Sequence, residues 1–283
     1  MLMSFMERKE NKMIISATCT INQVGPNAPI IYRGELETVL ANAKEAGYGG
    51  VEMHIRDSEK IDKGLLKDSL DRFGLELTSI GTGEAYNKDH LFLSSEDKDV
   101  RQGAVERICG HIRHAKDYRH AVVILGLVRG KTSNCSSRKA YEECLLEGLK
   151  ACAEEAEKYG VYMGMEMINR YECDDLNRIE EGEALIEKVG SRYLGIHIDT
   201  YHMNIEEADI RQGIVHAKDK IVHVHAADND RWYPGHGHID FESFGKVLEE
   251  ISYPWAVAVE CRPFPDGLTA GKLAAENLKK WVH

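Results

Sequence analysis

The sequence predicts a single-domain α/β fold, a (β/α)8 TIM barrel. Three observations carry that expectation. Eight short apolar runs recur along the chain, bounded by Gly, Asp or Asn, with segments of helical period between them. Strands that alternate with helices pair in parallel. The runs are continuous rather than alternating, which marks strands buried on both faces. Eight such units use nearly all of the 283 residues, as this barrel requires.

Taken in order, the strand candidates begin with "KMIISATCT" (12 to 20), "GGVEMHI" (49 to 55), "LELTSIGTG" (75 to 83) and "AVVILGL" (121 to 127). They continue with "VYMGMEMIN" (161 to 169), "LGIHIDT" (194 to 200), "IVHVHAA" (221 to 227) and "WAVAVEC" (255 to 261). Helices between them include "LETVLANAKEAG", "YEECLLEGLKACAEEAEKYG" and "FESFGKVLEEIS". Gly47, Gly74 and Gly160 each follow a helix and precede a strand, where a C-terminal cap glycine belongs. The rival arrangement is a doubly wound open sheet, whose dinucleotide form wants G-x-G-x-x-G after the first strand. Here that strand leads into "TINQVGPNAPI", which lacks it. With no linker or composition break, residues 12–283 read as one catalytic barrel domain, preceded by a short N-terminal arm over residues 1–11.

Composition narrows the functional classes. The hydrophobic fraction of 43% and charged fraction of 29% are those of a soluble globular protein. A net charge of -11 argues against nucleic acid as a partner, because phosphate binding needs a basic face. It does not exclude an anionic small molecule, since one pocket arginine can hold a carboxylate. The seven cysteines show no CxxC and are odd in number, so reduced thiols and a cytoplasmic location are expected. No apolar stretch approaches membrane-spanning length, and "MLMSFMERKENK" is too polar for a signal peptide.

The chemistry concentrates at strand ends. "GMEMINRYECD" (164 to 174) places Glu166 in an apolar run, where an ionised carboxylate needs a compensating cation. In a parallel barrel, catalytic groups gather at the C-terminal ends of the strands. Glu166 lies near the end of strand five, Asp199 ends strand six, and His225 and Glu260 lie late in strands seven and eight. Taken singly, each is more often a hydrogen-bonded rim group than a ligand. Recurrence at one height on four successive strands makes a constellation. Three carboxylates and one imidazole suit Mn²⁺, or Mg²⁺ or Co²⁺, better than structural zinc. Side chains alternate along a strand, so His197 and His223 fall one layer deeper, as satisfied interior histidines. Tyr201, Trp232 and Phe264 are read as ordinary packing, and the acidic helix faces as solvated surface.

At these residues the chain resembles the xylose-isomerase-like TIM barrels, and within them the D-tagatose and D-psicose 3-epimerases. The matching stretches are "EMINRYE", "DTYHMNIEE", "HVHAADNDRWYPGHG" and "VECRPF". "IGTGEAY", "GLVRGK" and "RWYPGHGHIDF" resemble the 5-keto-L-gluconate epimerase branch, whose substrates carry a carboxylate. His238 departs from the residue usual in the neutral-sugar enzymes. The resemblance implies one divalent ion on Glu166, Asp199, His225 and Glu260, and substrate oxygens on Glu172, His202 and Arg231. It further implies inversion of the carbon beside a ketone through an enediolate held by the ion, with Glu166 and Glu260 as the proton-transferring pair. Arg129, in "GLVRGK", reads either as the partner of a substrate carboxylate or as a rim arginine paired with a loop acid. Aldose–ketose isomerisation, inosose-type dehydration and a sugar-binding protein with an inactive site are the competing readings. An endonuclease IV-type activity, on the same barrel, is disfavoured by the charge. Relatives of this kind form dimers or tetramers, so a homo-oligomer is expected.

Overall fold

The structure, a computed structural model, describes residues 13–282. The expected N-terminal arm, residues 1–11, lies outside the described residues. Eight parallel strands form the barrel: β1 Ile14–Thr20, β2 Gly50–His54, β3 Glu76–Gly81, β4 Val122–Leu125, β5 Met163–Glu166, β6 Leu194–Asp199, β7 Ile221–Ala226 and β8 Ala256–Val259. Each pairs with its sequence neighbours, and β1 closes on β8 in register from Ile14 opposite Ala256 to Ala17 opposite Val259. Closure abolishes sheet edges, although Tyr32–Arg33 adds a short parallel pairing to the outer end of β1. Every expected strand is present, trimmed at its ends.

Among the described residues, ten α-helices lie outside the strands: α1 Leu36–Ala46, α2 Lys63–Phe73, α3 Gly83–Asn87, α4 Lys98–Ala115, α5 Arg138–Tyr159, α6 Ile179–Val189, α7 Thr200–Glu206, α8 Ile210–Ala217, α9 Phe241–Glu250 and α10 Gly267–Leu278. Their starts are written in the sequence, since Asp62, Asp97, Ser137, Asp209, Asp240 and Asp266 accept from first-turn amides. Their ends are too: Gly47, Gly74 and Gly160 take φ of 83°, 60° and 69° and close α1, α2 and α5. Ile108 and Ile112 of α4 and Leu145 and Leu149 of α5 bury against the barrel wall. No described helix is long and apolar enough to cross a membrane. All seven cysteines are free.

Inside the barrel an apolar cluster of Val122, Ile124 and Val222 meets a polar lining. Ser16, Glu52, Thr78, Ser79, His197, His223 and His225 are all buried there. Two irregularities in register aim these residues. One falls between Val51 and Glu52 against β3, the other between Ile196 and His197 against β7. A bulge turns the side chains that follow it, and both bulges lie just below the mouth. The second brings His197 opposite His223 and Asp199 opposite His225.

Candidate active site

Four strands deliver four donors to one place. One oxygen or nitrogen each from Glu166, Asp199, His225 and Glu260 lies within 4.8 Å of all the others. Local sequence explains how each is presented. Asp199 is the N-cap of α7: its Oδ1 accepts from the Tyr201 amide at 2.8 Å, which leaves Oδ2 free to face inward. His225 is fixed from behind, its Nε2 lying 2.9 Å from Glu52 Oε2, so Nδ1 points into the cluster. That Nδ1 stands 3.4 Å from Glu260 Oε2 and 4.0 Å from Asp199 Oδ2. Glu166 passes over the end of β4, where Gly126 has no side chain. A Cβ there would come within 2.6 Å of Glu166 Oε2.

Electrostatics report the strain of this gathering. Burial, then repulsion from Glu260, pushes the Glu166 carboxyl up to about 8. Burial raises Asp199 to about 6, against the pull of Arg231. Burial opposes ionisation of Glu260 too, but His225 and Arg231 outweigh it and hold that carboxyl below its ordinary value. Asp199 Oδ2 and His225 Nδ1 are buried without a well-aligned hydrogen bond: the first meets Arg231 as an ion pair, the second meets carboxylate oxygens. Crowded carboxylates around one imidazole nitrogen fit a divalent cation.

Three of the four, Glu166, His225 and Glu260, line a cavity of about 470 Å³ at the C-terminal mouth. Its lining includes Glu52, His54, Glu84, Glu172, His202 and Arg231. His202, on the first turn of α7, places Nε2 3.6 Å from Glu166 Oε1, while its Nδ1 is 2.7 Å from the Asn169 amide nitrogen. Burial, then Arg231, keeps the His202 imidazole neutral by holding its pKa well below the usual range. Asn169 also donates to Glu172 Oε1 at 3.0 Å. Arg231 ion-pairs with Asp199 Oδ2 at 3.0 Å and with Glu260 Oε2, and lies over the Tyr201 ring. Its backbone is left-handed, φ 64°, a strain of order 1 kcal/mol or more in a non-glycine residue. Asp228, which accepts from the amides of Asn229, Gly235 and Ile239, pins the loop that carries it. A larger cleft of about 650 Å³ beside β2 offers no comparable donor set, because its Arg56, Arg107, Asp57 and Asp89 pair with one another.

Two sequence expectations need correction, those for Arg129 and His197. Arg129 does not face the cavity. It is fully buried, and its guanidinium donates to the main-chain carbonyls of Glu166, Asp175 and Leu176. Both of its Nη groups are directed at the main chain, away from any substrate carboxylate. His223 is satisfied through Glu52 at 2.9 Å, but neither nitrogen of His197 has a hydrogen bond among the described residues. His197 packs on His225 instead, ring centroids 4.1 Å apart. His238 is exposed and outside the cavity lining. Glu52, His54 and Asn169 escaped the sequence reading. The usable signal for the first two was another acid in an apolar strand, Glu52, two residues before a histidine.

The family profile described as Xylose isomerase-like TIM barrel matches residues 40–281. The L-ribulose 3-epimerase of Mesorhizobium japonicum is 34% identical over 250 residues, 88% of this chain and 80% of that protein. The ketose 3-epimerase of Arthrobacter globiformis is 30% identical over 238 residues, 78% of this chain and 75% of that one. In three dimensions, the D-allulose 3-epimerase of Methylomonas sp. superposes with a TM-score of 0.81 at 23% identity. That match covers 96% of this chain and 99% of the other.

Proposed function

Because the chain belongs to the xylose-isomerase-like TIM-barrel family, we propose that it is a ketose 3-epimerase, inverting the carbon beside the ketone of a keto-sugar. It is an isomerase of the racemase/epimerase type acting on carbohydrates. The observation that carries the reading is the convergence of Glu166, Asp199, His225 and Glu260, three of which line an open cavity. These four would hold one divalent ion, Mn²⁺ by preference, with Mg²⁺ or Co²⁺ as substitutes. When bound, the ion supplies Lewis acidity that makes the hydrogen beside the ketone removable.

The protein's own groups do the rest. Glu166 ends β5 and Glu260 directly follows β8, with β6 and β7 between them, so they address a bound substrate from different sides. One takes the proton from carbon and the other returns one to the opposite face. His202 and Arg231 offset the negative charge that develops on the enediolate oxygens, and Glu172 orients a hydroxyl. Among the described residues, the lining offers no uncommitted arginine to pair a substrate carboxylate, which favours a neutral keto-sugar over a keto-sugar acid. The cavity is lined by Glu52, Glu84, Glu166, Glu172 and Glu260, and Arg231 is engaged with carboxylates. Lys88 is the remaining lysine or arginine of the lining, and it sits exposed at the rim.

The test is an epimerisation screen of the Mn²⁺-loaded protein in deuterium oxide, comparing neutral ketoses with keto-hexonates and keto-hexuronates. Turnover of a neutral ketose with one deuterium wash-in at the inverted carbon is expected. Glu166→Gln or Glu260→Gln should abolish both while the barrel stays folded. Products in which the carbonyl has moved, or water has been lost, would replace epimerisation with isomerisation or dehydration.

A further inference from the structure

A second group of donors shares the cavity and is unused by this chemistry. Glu52 and His54 are two apart on β2, so they face the same side. Glu52 is wholly buried, and its two oxygens live differently. Oε2 is saturated by Ser79 Oγ at 2.5 Å and by His223 Nε2 and His225 Nε2 at 2.9 Å each. Oε1 has no hydrogen bond, and neither does His54 Nε2, 2.9 Å away. Their separation is within reach of a hydrogen bond, but the alignment is not. The pair is close enough to act as an ion pair, yet each atom keeps room for a further ligand.

Glu260 completes the arrangement. Its Oε2 faces His225 Nδ1 at 3.4 Å, whereas its Oε1 faces His54 Nε2 at 3.9 Å. The carboxylate therefore presents one oxygen to each group. Glu52, His54 and Glu260 offer three donor atoms within 4.8 Å of one another. β3 has been cleared for the histidine: a Cβ on Gly81 would stand 2.7 Å from His54 Nδ1.

We infer that Glu52, His54 and Glu260 form a second divalent-cation site, beside the first and sharing Glu260 with it. Two carboxylate oxygens and one imidazole nitrogen suit Mn²⁺ or Co²⁺, and the open cavity admits water to complete the coordination. A carboxylate shared by two ions is the arrangement of two-metal sites, whose ions lie roughly 3.5–4 Å apart. In the same arrangement Glu52 does two things: Oε2 fixes the ring of His225 for the first ion, and Oε1 binds the second. The inference rests on the metal reading of the first site, because Glu260 serves both.

Metal counting separates the two. The full-length protein is stripped with chelator, titrated with Mn²⁺ by calorimetry, and its bound metal is measured by emission spectroscopy after gel filtration. Two equivalents are expected in the wild type, with an exchange-coupled two-manganese signal in electron paramagnetic resonance. His54→Ala should hold one equivalent, or bind the second at least tenfold more weakly, and lose the coupled signal. His54→Gln, which keeps the bulk but not the nitrogen, should behave alike and covers the case in which the alanine variant does not fold. One equivalent in both wild type and His54 variants, without coupling, overturns the second site and leaves the first standing. No bound metal in the wild type overturns both.

Discussion

Arg129 and Arg231 make an instructive pair. Each is buried, each follows a barrel strand, and each lies toward the same end of the barrel. Arg129, after β4, donates to the carbonyls of Glu166, Asp175 and Leu176 and so ties the ends of two loops together. Arg231, after β7, meets the carboxylates of Asp199 and Glu260 inside the cavity. A guanidinium surrounded by carbonyls is a staple, because nothing else can satisfy those acceptors. One surrounded by carboxylates shares them with whatever cation or substrate enters. Burial alone therefore says nothing of role; the partners do.

The comparison breaks first at Arg231. Arg231→Ala should lower kcat/KM by roughly 10²–10³, the usual loss on removing a donor to a developing oxyanion. With Mn²⁺ present, its Tm should stay within a few degrees of wild type. Unchanged steady-state kinetics would remove Arg231 from the reaction.

Arg129→Met should do the reverse. It strands three buried carbonyls, each worth about 1–3 kcal/mol, so a loss of about 3 kcal/mol or more is expected in urea unfolding, with KM unaltered. A raised KM for a keto-sugar acid at unchanged stability would restore Arg129 to the substrate.

His111 and His114 extend the contrast to basic groups that burial neutralises instead of pairing. Both face Ser58 Oγ, at 2.7 and 3.2 Å. Burial, chiefly, lowers His111 to about 3 and His114 to about 4. Their folded values lie below the unfolded one of about 6.5, so on acidification the unfolded chain binds the protons first. Their stabilisation is complete above that value and is lost as pH falls toward 4. Between pH 7 and 5, His111 alone should account for roughly 2 kcal/mol. Urea midpoints measured at both pH values check this, and His111→Gln should flatten the difference.

The smallest effect belongs to the rim. Lys88→Ala should change turnover of a neutral ketose by less than about threefold, since an exposed charge is screened by water and salt. A large, selective loss on a keto-sugar acid would move the substrate class.

How much of this was legible beforehand follows from the range of the interactions. Strand order, helix caps and the height of Glu166, Asp199, His225 and Glu260 were readable, because period, capping and strand-end position depend on residues a few places apart. The role of Glu52 was not, because its two histidine partners lie 171 and 173 residues away across the barrel. The aim of Arg129 was not either, since a loop side chain can turn toward the cavity or behind it without any change in the local pattern. The sequence by itself determined which residues reach the mouth. Closure of β1 on β8 and the two bulges decided which of them meet, because only a closed, sheared sheet fixes distances between strands that never pair.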